Sequence, residues 1–274
     1  DLHTGVAIGS AALAAAAYGL HRFIHGHVYH PRREIMATPS EFGVDYEDVE
    51  FVAEDGCALH GWWIPASEAS GTLLYCHGNA GNVGDRAALA SELQRLGTNL
   101  FLFDYRGYGR SRGRPSERGT ARDARAAYEV VRARQADVER PAVIAYGSSL
   151  GVSVAAQLAL DRPLSGLILE GGFTSLQDMS ALLYPQLPFR WLSRYRYDTV
   201  EKVAQLKGLP KLFAHSLADE VVPFELSRRL YERAAEPKQF FELAGSHSEP
   251  GWVQRPAYWQ ALEHFVRNVF AAHV

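Results

Sequence analysis

The sequence is poor in cysteine and carries little excess charge of either sign. Its 274 residues include only two cysteines, Cys57 and Cys76, too few for a disulfide framework or for a zinc site built from cysteine pairs. The formal net charge is −3, and lysine and arginine are scattered along the chain. A nucleic-acid partner is therefore not expected, because binding to nucleic acid requires a basic surface.

A long hydrophobic run is also missing. The alanine-rich stretch from Gly5 to Leu20 is short and weakly apolar beside the roughly 20 residues of a membrane span. It lacks the basic residues that precede the apolar part of a signal peptide. Three interpretations stay open: the tail of a membrane anchor, an uncleaved signal-like segment, or an alanine-rich helix packed on a protein surface. We assign residues 1–30 to this apolar helix and expect a membrane-associated chain, attached through residues 5–20, or else a cytoplasmic one.

Short apolar runs alternate with helical patterns from residue 31 to the end of the chain. The runs Glu50–Ala53 and Leu59–Pro65 flank an acidic-glycine turn and predict a β-hairpin. Further strands are predicted at Thr72–Cys76, Asn99–Phe103, Ala142–Tyr146, Gly166–Leu169, Lys211–His215 and Gln239–Leu243, and helices near Asp85–Leu96, Glu117–Arg134, Val152–Leu160, Phe224–Ala235 and Pro256–Phe270. The alternation predicts one α/β domain, residues 31–274, whose mostly parallel eight-stranded sheet is flanked by helices.

One stretch, at about residues 171–207, interrupts this alternation. It is rich in aromatic residues and contains Pro185 and Pro188, which exclude a long helix. We therefore expect short helices and loops, either as plain core or as a small cap inserted over a pocket. Its position between two predicted strands favours the cap. The substrate-binding residues predicted there are Phe173, Leu182, Leu187 and Trp191.

The run Gly147-Ser148-Ser149-Leu150-Gly151 lies between a predicted strand and a predicted helix. That strand–turn–helix setting is the one in which a G-x-S-x-G elbow presents a nucleophilic serine. The two glycines allow a sharp turn without a Cβ clash. Ser149 is predicted as the nucleophile in preference to Ser148, because only Ser149 has glycine two residues away on both sides.

A serine hydroxyl needs a base to remove its proton, and after such an elbow an acid and then a histidine follow in the chain. Asp219 comes shortly after the strand predicted to end at His215, and His247 follows the next strand. Each has a simpler explanation, as a helix cap or a solvated loop residue, but the order of the two favours a Ser149, Asp219, His247 triad. Glu220 and Glu170 are the rival acids.

Small residues follow the strand predicted to end at Cys76, in the run from His77 to Asn82. Such a loop can bring a backbone N–H close to the reacting carbonyl, and the N–H after the nucleophile supplies a second donor. We therefore predict an oxyanion hole formed by the backbone N–H groups of Asn79 and Leu150. A purely structural turn is the alternative.

The glycine-rich runs together resemble one branch of the α/β-hydrolase superfamily. They are Cys76–Asn82, Phe103–Ser111, Tyr146–Gly151 and Asp219–Phe224, and Phe173–Leu176 is similar as well. The resemblance extends from about His30 to His264 and implies the α/β-hydrolase fold with a small cap. The branch includes single-pass membrane hydrolases and eukaryotic protein depalmitoylases, so it also implies that the N-terminal apolar segment is a membrane anchor.

The chain departs from this branch at two positions beside the predicted triad. Ser148 stands where the family often has arginine, and Ser248 where it often has asparagine. These two departures do not change the predicted triad residues, but the substrate cannot be inferred from the resemblance. Asp104 recurs in the family as a structural residue, and we expect it to pair with Arg106 or Arg110.

The pattern predicts a serine hydrolase that cleaves carboxylic esters or thioesters through an acyl-enzyme, with no metal or organic cofactor. The expected substrate is a small-molecule or lipid-like acyl ester. Two alternatives stay open: a peptidase or amidase that uses the same triad, and a non-catalytic protein on a hydrolase scaffold, since a fold does not determine a function.

Overall fold

The computed structural model describes residues 18–19, 22–135, 142–183, 185–186, 195–249 and 255–272. Most of the apolar stretch from Gly5 to Leu20 lies outside these residues, as do Leu187 and Trp191. Within the described ranges, no helix has the length and apolar character needed to cross a membrane. Membrane association through residues 5–20 stays a prediction.

A mostly parallel sheet of eight strands forms the centre of the molecule, as predicted. The strands of the chain are β1 (His30–Pro31), β2 (Glu47–Val52), β3 (Ala58–Ile64), β4 (Thr72–Cys76), β5 (Ala80–Gly81), β6 (Asn99–Asp104), β7 (Val143–Ser148), β8 (Gly166–Glu170), β9 (Lys211–Ser216) and β10 (Lys238–Leu243). The order in the large sheet is β10-β9-β8-β7-β4-β6-β3-β2. Neighbours from β10 to β6 are parallel, whereas β3 and β2 form the predicted antiparallel hairpin.

Helices cover both faces of this sheet. They are α1 (Ala87–Gln94), α2 (Glu117–Arg134), α3 (Leu150–Asp161), α4 (Leu176–Leu183), α5 (Thr199–Gln205), α6 (Phe224–Arg233) and α7 (Arg255–Ala271). Successive side chains of a strand point to opposite faces, so Leu73 packs in the cluster that contains residues of α1 and α7. Leu74 packs in the cluster with α2, α3, α5 and α6. All five residues of β4 are buried, as expected of a strand covered on both sides.

The helix after the elbow begins earlier than predicted. The sequence places its start at Val152, but α3 begins at Leu150, directly after Ser149. The reason is that the chain enters the helix from the elbow without a linker, and the N–H of Val152 already donates to the carbonyl of Ser149 at 3.0 Å. The N-terminus of α3 therefore lies beside the serine.

A second, two-stranded sheet was not predicted. Residues 22–28 are helical, and β1 then pairs in parallel with β5. The N–H of His30 donates to the carbonyl of Asn79 at 2.9 Å, and the N–H of Arg32 donates to Gly81 at 3.0 Å. This N-terminal arm, residues 22–36, thus lies along the loop that follows β4.

Candidate active site

The elbow holds Ser149 in a strained conformation at the end of β7. Its φ of 53° and ψ of −117° lie in a region that a residue with a side chain seldom adopts. The N–H of Ser149 donates to the carbonyl of Glu170, at the end of β8, over 2.8 Å. The neighbouring strand thus fixes the turn that presents the hydroxyl.

The two flanking glycines allow close contact between backbones. A Cβ at Gly151 would overlap the carbonyl of Cys76, at the end of β4. A Cβ at Gly147 would lie 2.5 Å from the carbonyl oxygen of Gly151. The glycines are therefore required because α3 starts against the ends of β7 and β4, which agrees with the reasoning from the sequence.

The structure brings Ser149, His247 and Asp219 together, although they follow three different strands. Nε2 of His247 lies 3.1 Å from Oγ of Ser149. Nδ1 of the same ring lies 2.6 Å from Oδ2 of Asp219. The Asp219 side chain is 1% exposed and the His247 side chain 16%, so the ring can reach a ligand while the carboxylate cannot. A hydroxyl, an imidazole and a buried carboxylate in this order can activate the hydroxyl as a nucleophile.

The loop after β9 keeps Asp219 ionised. Its Oδ1 accepts the backbone N–H of Val221 at 2.9 Å and that of Val222 at 2.7 Å. Burial by itself would raise the pKa of this carboxyl, but the hydrogen bonds from His247 and these N–H groups hold the pKa below its ordinary value. The carboxylate is thus available to orient the imidazole.

The rival acids occupy other positions. Oε2 of Glu220 accepts the backbone N–H of His247 at 3.0 Å, so this carboxylate binds the loop and not the ring. The side chain of Glu170 accepts hydrogen bonds from the hydroxyls of Tyr146, at 2.6 Å, and Tyr258. Among the described hydrogen bonds, Asp219 alone of the three carboxylates binds the imidazole of His247.

His215 is a part of the site that the sequence reasoning did not identify. Its Nε2 lies 2.9 Å from the carbonyl of Val222 and 3.3 Å from Oδ2 of Asp219. Burial lowers the pKa of His215, which favours the neutral ring, with Nε2–H donating to Val222. The sequence feature that could have indicated this position is a histidine at the last residue of a predicted buried strand, four residues before Asp219.

The predicted oxyanion donors lie on two elements that meet at the elbow. Leu150 is the first residue of α3, where a backbone N–H has no acceptor within the helix. Asn79 lines the same cavity as Ser149, and a Cβ on the preceding residue, Gly78, would lie 3.4 Å from Cβ of Ser149. The carbonyl of Asn79 accepts the N–H of His30 and, at 2.7 Å, the hydroxyl of Tyr108. The loop is thus held against the elbow.

The expected pairing of Asp104 with Arg106 or Arg110 is wrong. Arg106 binds Asp55 and Asp123 in ion pairs of 2.9 and 2.8 Å, and Arg110 binds Asp48. Asp104 is instead fully buried behind the loop after β4, where its Oδ1 accepts the N–H of Val83 at 2.9 Å and lies 3.4 Å from Nε2 of His77. Both arginines are occupied by other carboxylates, and Asp104 is occupied by the loop after β4.

A cavity of about 540 Å³ opens beside Ser149 and His247. Its apolar wall comes from α1 and α7, with Ala88, Leu89, Leu93, Tyr258, Trp259 and Leu262. The predicted pocket residues that the structure describes lie elsewhere: Phe173 is buried in the core, and Leu182 is 52% exposed. Leu187 and Trp191 lie outside the described residues. Phe173 belongs to the core cluster that contains residues of α3 and α6, on the other side of the sheet from α1 and α7. Its predicted role in substrate binding stays a prediction.

Comparison with known proteins identifies the superfamily to which the chain belongs. Residues 67–198 match the family described as Serine aminopeptidase, S33. The chain is 40% identical over 264 residues to the Mycobacterium tuberculosis protein Rv2307c, covering 93% of each chain. It is 34% identical over 253 residues to the α/β hydrolase domain-containing protein WAV2 of Arabidopsis thaliana, covering 84% of this chain and 82% of WAV2. The chain belongs to the α/β-hydrolase superfamily.

A solved structure supports this assignment at the level of the fold. The chain is similar to the Pyrococcus furiosus esterase Pf2001, with a TM-score of 0.74 and 19% sequence identity, over 88% of this chain and 98% of the esterase. At such identity the likeness concerns the architecture alone. The family match and this likeness agree with a hydrolase of the α/β type, but neither gives the bond that the protein would cleave.

Proposed function

We propose that this protein is a serine hydrolase that cleaves carboxylic ester or thioester bonds through an acyl-enzyme. The hydrogen-bonded series from Ser149 Oγ to His247, 3.1 Å, and from His247 to Asp219, 2.6 Å, is the observation that carries the proposal. Ser149 also has a positive φ at the edge of a cavity, and backbone strain of this kind is concentrated at functional sites.

The proposed reaction begins when Oγ of Ser149 attacks the carbonyl carbon and His247 accepts the hydroxyl proton. Asp219 holds the ring in the required tautomer and stabilises the imidazolium. His247 then gives the proton to the departing alcohol or thiol as the tetrahedral intermediate collapses. In the second half of the reaction, His247 takes a proton from water, and the resulting hydroxide attacks the carbonyl carbon of the acyl-enzyme. The carboxylic acid then leaves as Ser149 regains its proton from His247.

The oxyanion of each tetrahedral intermediate would accept hydrogen bonds from the N–H groups of Asn79 and Leu150. Both residues are held by neighbouring elements, Leu150 by α3 and Asn79 by the N-terminal arm, so little reorganisation is needed during the reaction. A single donor of this kind is typically worth about 10²–10³ in turnover.

The cavity supports a small acyl ester as the substrate class. Its volume of about 540 Å³ is in the range of small-molecule sites, and aliphatic and aromatic side chains of α1 and α7 form its apolar wall. An acyl chain of short to medium length, or a lipid-like acyl group, would bury its apolar surface there.

Reaction with a fluorophosphonate probe, together with hydrolysis of p-nitrophenyl butyrate, tests the proposal. Ser149→Ala should abolish labelling and reduce hydrolysis to the uncatalysed rate. Ser148→Ala is the matched control, since it removes the neighbouring hydroxyl of the same motif, and should retain labelling. Labelling that survives in Ser149→Ala, or hydrolysis at the wild-type rate, would overturn the assignment.

A peptidase or amidase is the second candidate, and the description of the matched family, Serine aminopeptidase, favours it. The same serine, base and acid can cleave an amide if the leaving amine is protonated by His247. A panel that compares kcat/KM for p-nitrophenyl esters with that for aminoacyl p-nitroanilides separates the two. Preference for the anilides would replace the esterase proposal.

A further inference from the structure

Glu170 is a half-buried carboxyl group at the cavity beside the nucleophile, and the proposed reaction does not use it. It ends β8 in register with Ser148 on β7, and its carbonyl accepts the N–H of Ser149. Its side chain lines the same cavity as Ser149 and His247. Even partial withdrawal of a carboxyl group from water is costly unless the group has polar or charged partners.

Two tyrosines hold the carboxyl group by one of its oxygens. The hydroxyls of Tyr146 and Tyr258 both donate to Oε2 of Glu170, and the two hydroxyls lie 3.0 Å from each other. Oε1 receives no hydrogen bond from the part of the chain that the structure describes. Burial raises the pKa of this carboxyl, and the tyrosine hydrogen bonds oppose the rise. The group is thus oriented by its surroundings but not neutralised by them.

Aromatic rings surround this carboxyl group. Tyr75, Tyr146, Tyr258 and Trp259 all line the cavity, and the rings of Tyr75 and Tyr146 lie 5.1 Å apart. The faces of such rings attract cations, most strongly where water is excluded. A carboxylate oxygen among aromatic rings is accordingly suited to an ammonium group.

The charges of the cavity favour the same kind of ligand. Its two arginines, Arg32 and Arg86, both lie near one carboxylate, Asp85, at 2.6 and 3.6 Å. Glu170 forms no ion pair with either arginine among the described contacts. The imidazole of His247 lowers the pKa of Glu170 when it is charged, but the carboxyl group has no ion-pair partner among the described contacts. It would therefore attract a cationic ligand and repel an anionic one.

We propose that Glu170, held by Tyr146 and Tyr258, forms a subsite for a substituted ammonium group of the substrate. An ammonium supplies an N–H donor to Oε1, which has none among the described residues, and the positive charge that favours the ionised carboxyl. Its carbon substituents contact the aromatic rings. This inference rests on the proposed hydrolase function, since it places the cation in the cavity of Ser149. The substrate class becomes an acyl ester or thioester with an ammonium group in its acyl or leaving part.

Competition among small isosteric probes tests the subsite. Butylammonium, butanol and butyrate are compared as inhibitors of p-nitrophenyl butyrate hydrolysis by the full chain. A charge-assisted hydrogen bond is stronger than a neutral one, so butylammonium should inhibit at a concentration at least about tenfold lower than butanol. Equal inhibition by the ammonium and the alcohol, or stronger inhibition by butyrate, would overturn the proposal.

Glu170→Gln keeps the shape of the side chain and removes its charge, so the preference for butylammonium over butanol should fall to about one. Glu92→Gln is the matched control, because Glu92 lines the same cavity from α1. The control should keep the preference. A preference that survives in Glu170→Gln, or that disappears in Glu92→Gln, assigns the effect to another group. Circular dichroism melts of both variants verify that they fold.

Binding can also be measured without turnover, which separates the subsite from the hydrolase proposal. Butylammonium is titrated calorimetrically into Ser149→Ala and into the double variant that also carries Glu170→Gln. Binding that depends on Glu170, together with a wild type that does not hydrolyse p-nitrophenyl butyrate, would support the subsite and reject the hydrolase. Hydrolysis by the wild type without Glu170-dependent binding would support the hydrolase and reject the subsite.

Discussion

The carboxylate of Glu220 accepts a hydrogen bond from the backbone N–H of His247 at 3.0 Å, not from its imidazole. Asp219 holds that imidazole through Nδ1 at 2.6 Å. Two adjacent acids therefore support the same histidine in different ways. One positions the loop, and the other sets the orientation and the charge of the ring.

The two acids should consequently differ in their effect on the reaction. Asp219→Asn is expected to lower kcat by about 10³–10⁴, because the amide no longer stabilises the imidazolium or its tautomer. Glu220→Gln keeps an acceptor for the N–H of His247 and should cost less than about tenfold, the range of one neutral hydrogen bond. Steady-state hydrolysis of p-nitrophenyl butyrate by both variants gives the comparison. Similar losses in the two variants would contradict the assigned roles.

The elbow gives a prediction about stability. Gly151→Ala would place a Cβ against the carbonyl of Cys76, and the start of α3 would have to move away from β4. We expect a loss of about 3 kcal/mol or more in the free energy of unfolding, at the upper end of overpacking effects. Urea denaturation followed by circular dichroism measures it.

Gly26→Ala is the matched control for Gly151→Ala. Gly26 lies in the exposed helical segment 22–28, and a Cβ there has nothing within 4 Å. The unfolding free energy should stay within about 1 kcal/mol of that of the wild type, since alanine favours a helix. A Gly151→Ala variant as stable as Gly26→Ala would show that the elbow can shift freely.

Much of this architecture could be predicted because it depends on local pattern. The strand Thr72–Cys76 and the helix Glu117–Arg134 have the predicted bounds, since apolar runs and a serine cap define their ends. The proximity of Asp219 and His247 to Ser149 could also be predicted, because loops at the carboxyl ends of parallel strands meet at one edge of a sheet. Because both residues follow strands of the parallel sheet, the sequence predicts that they lie near Ser149.

What the sequence did not indicate depends on contacts between distant segments. β1 and β5 have two residues each, too few for any periodicity to show. The cavity wall combines α1 with α7, and the hydroxyl of Tyr258 reaches a carboxyl group 88 positions earlier in the chain. The aromatic residues at 171–207 and the position of this stretch between two strands suggested a cap over a pocket, but the burial of Phe173 follows from packing that neither feature specifies.

Asn82 links the N-terminal arm to the loop after β4 and should be important for stability. This buried side chain donates to the carbonyls of Arg32 at 3.1 Å and Glu34 at 2.6 Å, and accepts the N–H of Gly84 at 2.8 Å. Asn82→Ala leaves these backbone groups unsatisfied and removes a helical cap. We expect a loss of about 2–4 kcal/mol, the sum of a cap and of buried unpaired groups.

Urea denaturation of Asn82→Ala is compared with that of Asn268→Ala. Asn268 lies on the exposed side of α7, where its amide contacts His264 at 2.9 Å. Because that hydrogen bond is exposed, its loss should change the unfolding free energy by less than about 0.5 kcal/mol. Equal effects of the two substitutions would mean that the arm does not depend on Asn82.

Glu170 should make the stability of the protein depend on pH. Burial raises the pKa of this carboxyl above its ordinary value of 4.5, so the folded chain keeps a proton that the unfolded chain has released. Where the folded state binds more protons, the free energy of unfolding falls as the pH rises. The wild type should therefore lose stability, relative to Glu170→Gln, from about pH 4.5 upward until the pH passes the raised pKa in the folded state.

Chemical denaturation of wild type and Glu170→Gln across the pH range measures this difference. Well below pH 4.5 the carboxyl is protonated in both states, so the difference between the two proteins should be constant there and serves as the internal reference. Above that value, Glu170→Gln should gain relative to the wild type because glutamine has no proton to release. A difference that stays flat with pH would mean that Oε1 is solvated like a surface carboxylate, and a difference of the opposite sign would mean that the tyrosine hydrogen bonds outweigh burial.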